Sequence, residues 1–205
     1  MPTRLNYTIN FKFFMNKSII ISVRILFFLT LLTGIVYPLG ITGISMLFFH
    51  SKAEGSLVEL NGKVVGSGLI GQQTDGLAYF HSRPSAVNYQ TQPSGASNLS
   101  WTDKRLIEMV ASRKAAFQSE NMLPETTVIP KEMLFASASG IDPHISPLAA
   151  ILQVERIASA RNFNDGQKQK LILLVAKMTE KPQYSLFGEE RINVFLLNLE
   201  LDLIE

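Results

Sequence analysis

The sequence predicts an α+β (mixed α/β) domain carried on one N-terminal transmembrane helix, and three observations predict it. The first is a run of twenty-five residues, Ile25 to Phe49, without a charged side chain. At about 1.5 Å per helical residue this run reaches roughly 37 Å, enough to cross a hydrocarbon core of about 30 Å with some tilt. The second is a pair of β-rich segments flanking Asn61-Gly62. The third is the set of helical patterns beyond Thr102, mixed with short extended stretches.

The apolar run divides the chain into a leader (1–18), a span (19–50) and a domain (51–205). In lipid every backbone amide needs an internal partner, which a lone segment provides only as a helix. The run is too long for the apolar region of a cleaved signal peptide, and a domain of this size has no use for a helix apolar on every side. Pro38, between Gly34 and Gly40, is expected to bend the outer third of the span or shorten its regular part. Thr30, Gly34 and Pro38 share one face, where small residues permit close approach of a neighbouring helix. Arg24 is placed to snorkel inward, and His50 with Lys52 closes the outer end.

Charge sets the orientation. Arg4, Lys12, Lys17 and Arg24 precede the span and no acidic residue appears before Glu54, so the positive-inside rule places the N-terminus in the cytoplasm and residues 51–205 outside. Removing those four from the nineteen basic residues leaves fifteen against seventeen acidic ones, which excludes a basic nucleic-acid-binding domain. Cysteine is absent, so disulfides and thiolate metal sites are excluded.

Beyond the span, Asn61-Gly62 is a type I′ hairpin signal, because both central residues of that turn need positive φ. Gly66, Gly68 and Gly71 form a G-x-G-x-x-G, but no helical pattern follows, so an edge loop is preferred to a phosphate cradle. A polar loop runs from Val87 to Trp101, of a length that is usually functional or disordered. Thr102 is read as the cap of a helix to about Ser119 with Leu106, Ile107, Val110 and Phe117 on one face. A Pro-punctuated connector, Leu123 to Pro130, leads to an expected strand at Met133 to Ala136. Ser146 as cap and Pro147 at the first helical position begin a helix from Leu148 to about Arg161. Asp165 begins another, ending near Glu180. Residues 192–204 fit both a strand, by alternation of Phe195, Leu197, Leu199, Leu201 and Leu203, and a helix face of Val194, Leu197, Leu201 and Ile204.

Three chemistries compete with tight-turn roles for these residues. Asp142, His144 and neighbouring serines suggest a hydrolase, but no G-x-S-x-G surrounds any candidate serine. His81 and His144 with a carboxylate would make three metal ligands, yet they lack any fixed spacing, and no metal is assigned. Free amides at Ser146 to Leu148 could hold an anion.

The chain resembles a known family through T-G-I-V-Y-P-L (33–39), G-S-L-V (55–58), N-G-K-V-V-G-S (61–67), L-I-G-Q (69–72), Y-F-H-S-R-P-S-A (79–86), S-G-A-S-N-L (94–99), A-S-A-S-G-I-D-P-H-I-S-P-L-A-A (136–150), Q-V-E-R-I-A-S-A-R (153–161) and N-V-F-L-L-N-L (193–199). These motifs, in this order, resemble the C subunit of the Kdp potassium-transporting ATPase, a bacterial P-type complex. Ser82 and Ala96 depart from the pattern, each standing where the family usually has glycine. The resemblance implies a non-catalytic single-span subunit of the inner membrane. It implies assembly with a channel-like potassium-translocating subunit, the ATP-hydrolysing P-type subunit and a small membrane peptide. It also implies a catalytic-chaperone role that raises the nucleotide affinity of the ATP-hydrolysing subunit, with no cofactor held stably and ATP met only together with that subunit. Gln153 and Arg156 are nucleotide-contact candidates on this ground alone, since residues 153–161 are similar to the signature helix of ABC transporters. The other motif residues, Asn61, Gly62, His81, Arg83, Pro84, Ser94, Gly95, Asn98, Gly140, Asp142, Pro143, His144, Ser146 and Pro147, are then structural or interface residues. The alternative is a membrane-anchored extracytoplasmic hydrolase using His144.

Overall fold

A computed structural model describes residues 11–204, and the chain divides into two compact units with the boundary between Glu54 and Gly55. Residues 1–10 of the expected leader, Arg4 among them, lie outside the described residues.

The first unit is a helix of membrane-spanning length. Helix α1 (Phe11–Leu31) leads through a π-helical turn (Leu32–Val36) into α2 (Tyr37–Phe48), so the helix begins within the expected leader and runs to the expected outer end. Pro38 does not shorten it. A proline inside an α-helix removes one N–H and drives its ring against the carbonyl four residues back, here Gly34. The π turn widens the helix just ahead of that point, with the Tyr37 N–H donating to the Leu32 carbonyl. Thr33 and Thr42 donate their hydroxyls to Leu29 O and Pro38 O at 2.7 and 2.8 Å, which hides two polar groups on the helix backbone. Residues 17–48 have a mean hydropathy of 2.5 over their most apolar window, and none of that window is buried within the chain. A short helix α3 (His50–Ala53) follows, with His50 and Glu54 paired at 3.4 Å.

The second unit contains two two-stranded antiparallel sheets among its described residues, the first largely exposed and the second part of the helical core. Strands β1 (Leu57–Leu60) and β2 (Lys63–Ser67) form the expected hairpin, Asn61 and Gly62 taking φ of 52° and 74°. The glycine-rich stretch after β2 is pinned rather than free. The Gly71 N–H donates to Ile141 O at 2.7 Å, and a Cβ at Gly71 would stand 2.8 Å from Asp142 O. Only a residue without a side chain lets these two segments touch.

Helix α4 (Lys104–Glu120) is capped by Asp103, not Thr102: the Asp103 carboxylate accepts the Arg105 N–H at 2.9 Å. Phe117 is buried and Leu106 and Val110 are half-buried, but Ile107 is 57 % exposed. The packed stripe follows positions 106, 110, 113 and 117, and Ile107 lies a sixth to a third of a turn away from it. The expected strand at Met133 to Ala136 is absent, replaced by a 3-10 turn (Lys131–Met133) that buries Met133 behind Pro130.

Strand β3 (His144–Ile145) pairs with β4 (Ile192–Asn193). The single helix expected from Leu148 to Arg161 is two: α5 (Pro147–Ile151) and α6 (Val154–Ala160), broken at Leu152 and Gln153. Helix α7 (Asp165–Lys177) starts with a capping box between Asn164 and Gln167 and stops short of Glu180, whose backbone pairs with Arg191. Residues 192–204 follow the helix reading and not the strand one: after the two-residue β4 the alternating residues Phe195, Leu197, Leu199 and Leu201 lie on α8 (Val194–Leu201), capped by Asn193. Val194, Leu197, Asn198 and Leu201 form its buried face, a helical spacing. The core gathers these helices and both strands of the second sheet around Phe80, Ile157, Leu171, Leu197 and Leu201.

Candidate functional site

The motif residues collect into two polar clusters. The first surrounds Arg156, whose side chain is 2 % exposed. Its Nε donates to Asn121 Oδ1 at 2.9 Å, Nη1 to Leu77 O at 2.9 Å and Gly76 O at 3.2 Å, and Nη2 to Tyr79 O at 2.9 Å and Gln153 Oε1 at 2.8 Å. Burial pushes the guanidinium down to about 10, only partly offset by Glu120 nearby. Gln153, fully buried, accepts the His81 N–H at 2.7 Å and donates to His81 O and Ala149 O. This amide faces His81 at the break between α5 and α6. Arg161 adds a second clamp, donating to Ala78 O at 2.8 Å and standing 4.7 Å from the centre of the Tyr79 ring.

The two arginines and Gln153 thus hold residues 76–81, a segment without regular structure, against α6. His81 Nε2 lies 2.9 Å from Gly76 O and 3.2 Å from Arg156 Nη1, so the acceptor and the donor compete for one ring nitrogen. Burial, then the neighbouring Arg156 charge, lower the His81 pKa, with Gly76, Glu120 and Asp75 opposing. Gln153 and Arg156 therefore spend their polar atoms on their own chain, and neither presents a donor to a nucleotide in this conformation. Nothing local in the sequence marks Asn121 or the Tyr79 carbonyl for this role, since their partner Arg156 lies 35 and 77 positions away.

The second cluster joins Arg83, Asp142 and His144. Arg83 Nη1 donates to Asp142 Oδ2 at 2.8 Å, and the His144 backbone N–H and ring Nδ1 both lie 3.1 Å from Asp142 Oδ1. Burial raises the Asp142 carboxyl, but the His144 ring and backbone N–H, with Arg83, outweigh it and leave its pKa below the ordinary value. Asp142 and His144 thus tie down a tight loop. Gly140 completes that loop at φ 73°, where a Cβ would stand 2.5 Å from Val87 Cγ2. Buried Pro143 accepts the Val194 N–H at 2.9 Å.

The long loop from Val87 to Trp101 has no regular structure but is fastened to the same cluster. Ser85 Oγ accepts the N–H groups of Val87 and Tyr89, the Tyr89 hydroxyl donates to Arg83 O at 2.8 Å, and the Gly95 N–H donates to Ser139 O at 3.0 Å. Pro84 is half-buried, whereas Ser94 and Asn98 are exposed. Ser82, one of the two departures from the family pattern, is buried with its hydroxyl directed at Gln72 O.

His81 and His144 belong to different clusters and different surface hollows. Among the described residues no group of three His, Asp or Glu side chains is placed to hold a metal ion. The His144 ring makes no hydrogen bond to a serine hydroxyl among them, so the triad geometry of a hydrolase is not assembled. Ser146 caps α5 by accepting the Ala149 N–H, while its own N–H is taken by Glu132 Oε1 at 3.2 Å. A carboxylate thus already occupies the place suggested for an anion. A groove of about 630 Å³ lies beside this cluster, walled by Arg83, Asp142 and His144 on one side and by residues 181–191 on the other.

Comparison with known proteins gives one consistent result. The profile of the KdpC family, described as "K+-transporting ATPase, c chain", matches residues 19–203. The chain is 44 % identical over 191 residues to a potassium-transporting ATPase KdpC subunit of Koribacter versatilis, covering 92 % of this chain and 95 % of the relative. It is 41 % identical over 190 residues to the Mycobacterium tuberculosis subunit of that name, covering 92 % and 99 %. The Leptospira interrogans subunit is 45 % identical over 182 residues, covering 89 % and 92 %. None of these supports the hydrolase alternative.

Proposed function

The chain belongs to the KdpC family, the c chain of the K+-transporting ATPase and an accessory rather than catalytic subunit of that complex, and from this premise we propose how it is placed and how it acts. It sits in the inner, cytoplasmic membrane of a bacterium with its N-terminus inside and residues 51–205 on the outer side. There it caps and steadies the potassium-entry face of the channel-like subunit, in an assembly that also holds the ATP-hydrolysing P-type subunit and a small membrane peptide.

The observation that carries this reading is the distribution of charge about the apolar helix: four basic residues before it and no acidic one until Glu54. The chain binds no cofactor stably on its own. Its effect on nucleotide affinity reaches the ATP-hydrolysing subunit through the assembly, a view supported by the burial of Gln153 and Arg156, whose donors are occupied within the chain.

Paired reporter fusions at Glu205, one active only outside and one only in the cytoplasm, test the orientation. Activity of the cytoplasmic reporter alone overturns it. Purification of the complex in mild detergent, followed by potassium-stimulated ATPase assay with and without this chain, tests the role. The expected outcome is that omission raises the ATP concentration needed for half-maximal rate, and an unchanged requirement overturns the chaperone role.

A further inference from the structure

Residues 180–191 form a hairpin that the core does not use. Its base is laced by the Glu180 and Arg191 backbones, which exchange hydrogen bonds at 2.8 and 3.1 Å, and by Arg191 Nε on Glu180 Oε2 at 2.9 Å. Nearer the tip, Gln183 and Phe187 exchange a pair at 2.9 Å each. The two central turn residues, Tyr184 and Ser185, take φ of 53° and 57°. Both lie in the left-handed region, which asparagine and glycine adopt cheaply and a tyrosine does not. The laced base holds the tip in this conformation, and what it projects is apolar: Tyr184 is 92 % exposed, Leu186 74 % and Phe187 64 %. Strained backbone that presents large apolar side chains to water marks a surface shaped for contact.

The charges beside the tip decide among occupants. Arg191 is paired with Glu180 and Arg83 with Asp142. Glu132, Glu189 and Glu190 have no ion-pair partner among the described residues and line the groove of about 630 Å³ behind the hairpin, where the one cation likewise without an ion pair among them, Lys181, leaves the acidic charge in excess. An anionic lipid surface repels two adjacent carboxylates, and burying them in the bilayer interface costs their hydration. A second copy of the same tip would set these carboxylates against each other. A protein surface with an apolar hollow and a basic rim satisfies both the aromatic tip and the acids.

We propose that the 180–191 hairpin is a docking peg for a companion subunit, its apolar tip seated in a hollow of that subunit while a Lys or Arg from the rim enters the groove beside Glu189 and Glu190. This rests on the accessory-subunit reading above and deepens it.

The chain has no cysteine, so Leu186→Cys supplies its only thiol. The full-length variant is treated with a maleimide in the assembled complex and, separately, as the free chain in the same detergent. The proposal expects labelling at least tenfold slower in the complex, and Glu189→Lys/Glu190→Lys to lower co-purification with the companions severalfold while thermal unfolding of the free chain stays unchanged. Loss of assembly on Leu186→Cys with unchanged unfolding supports it equally. Equal labelling rates overturn it, as does charge reversal without effect on co-purification. Protection of the free chain by zwitterionic lipid vesicles, or by raising its own concentration, overturns it in favour of a bilayer or a second copy. A wild-type chain that co-purifies with no companion overturns the accessory-subunit reading itself, whereas a co-purifying chain with fast labelling at position 186 overturns only the peg.

Discussion

Arg156 is a buried cation with no carboxylate at ion-pair distance among the described residues, neutralised instead by oxygens of residues 76–79, Asn121 and Gln153. Arg156→Met leaves the Leu77 and Tyr79 carbonyls and Asn121 Oδ1 without their donor, and at about 1–3 kcal/mol for each stranded group the unit loses about 3 kcal/mol or more. Arg156→Lys recovers little of this, because an ammonium cannot reproduce the planar fork. Thermal denaturation of the full chain in detergent measures both. His81 adds a pH dependence. Its folded pKa lies below the unfolded 6.5, so between the two values the unfolded chain binds a proton that the folded chain refuses. Stability is therefore full above about pH 7 and declines as pH falls through the ordinary histidine range. Asp142, also lowered, adds a second loss below the ordinary carboxylate value near 4. His81→Gln flattens the first slope and leaves the second, and a stability profile that does not change in this way contradicts the assignment. The sequence made the tie between Asp142 and His144 legible, because the two stand two positions apart and turn chemistry is local, but not the pairing of Arg83 with Asp142 across 59 positions. It gave no sign that Gln153 and Arg156 face inward, since their partners come from a segment more than seventy positions earlier.

At the scale of elements, those whose signals lie within a few residues were legible. Asn61-Gly62 turned as its backbone freedom requires, and Ser146-Pro147 began α5. Gly62→Val places a β-branched residue at φ 74° and is expected to cost about 1–2 kcal/mol, read as a lower midpoint in urea. Elements decided by distant contacts were not legible. The hydrophobic pattern from 148 to 161 is continuous, yet the helix parts at Gln153 because the side chain there binds the backbone of His81. Similarly, Met133 is apolar enough for a strand, but Pro130 and the core behind it favour a 3-10 turn. In the apolar helix the π turn answers to Pro38. Pro38→Ala removes the reason for it, and backbone NMR in micelles should find the Pro38→Ala chain α-helical through Leu32–Val36. Persistence of the π register in the variant contradicts this explanation.

For the whole molecule, the boundary at Glu54 and Gly55 separates a helix that is apolar on all sides from a unit with its own core. A fragment of residues 55–205 is expected to be water-soluble and to unfold cooperatively, whereas Ile157→Ala in it costs about 2–5 kcal/mol by opening a cavity in a fully buried site. Aggregation of the unsubstituted fragment, or a gradual melt, would show that the unit depends on its anchor. Within this unit, the side-chain amide of Asn198 clasps both the N–H and the C=O of Phe80, at 2.8 and 2.9 Å, across 118 positions. A chain emerging from the ribosome has neither this clasp nor α8 until the residues around position 198 are made. The Phe80 segment and the loop it leads into must therefore wait while 118 further residues are made, and any premature stop before position 198 leaves them without a latch.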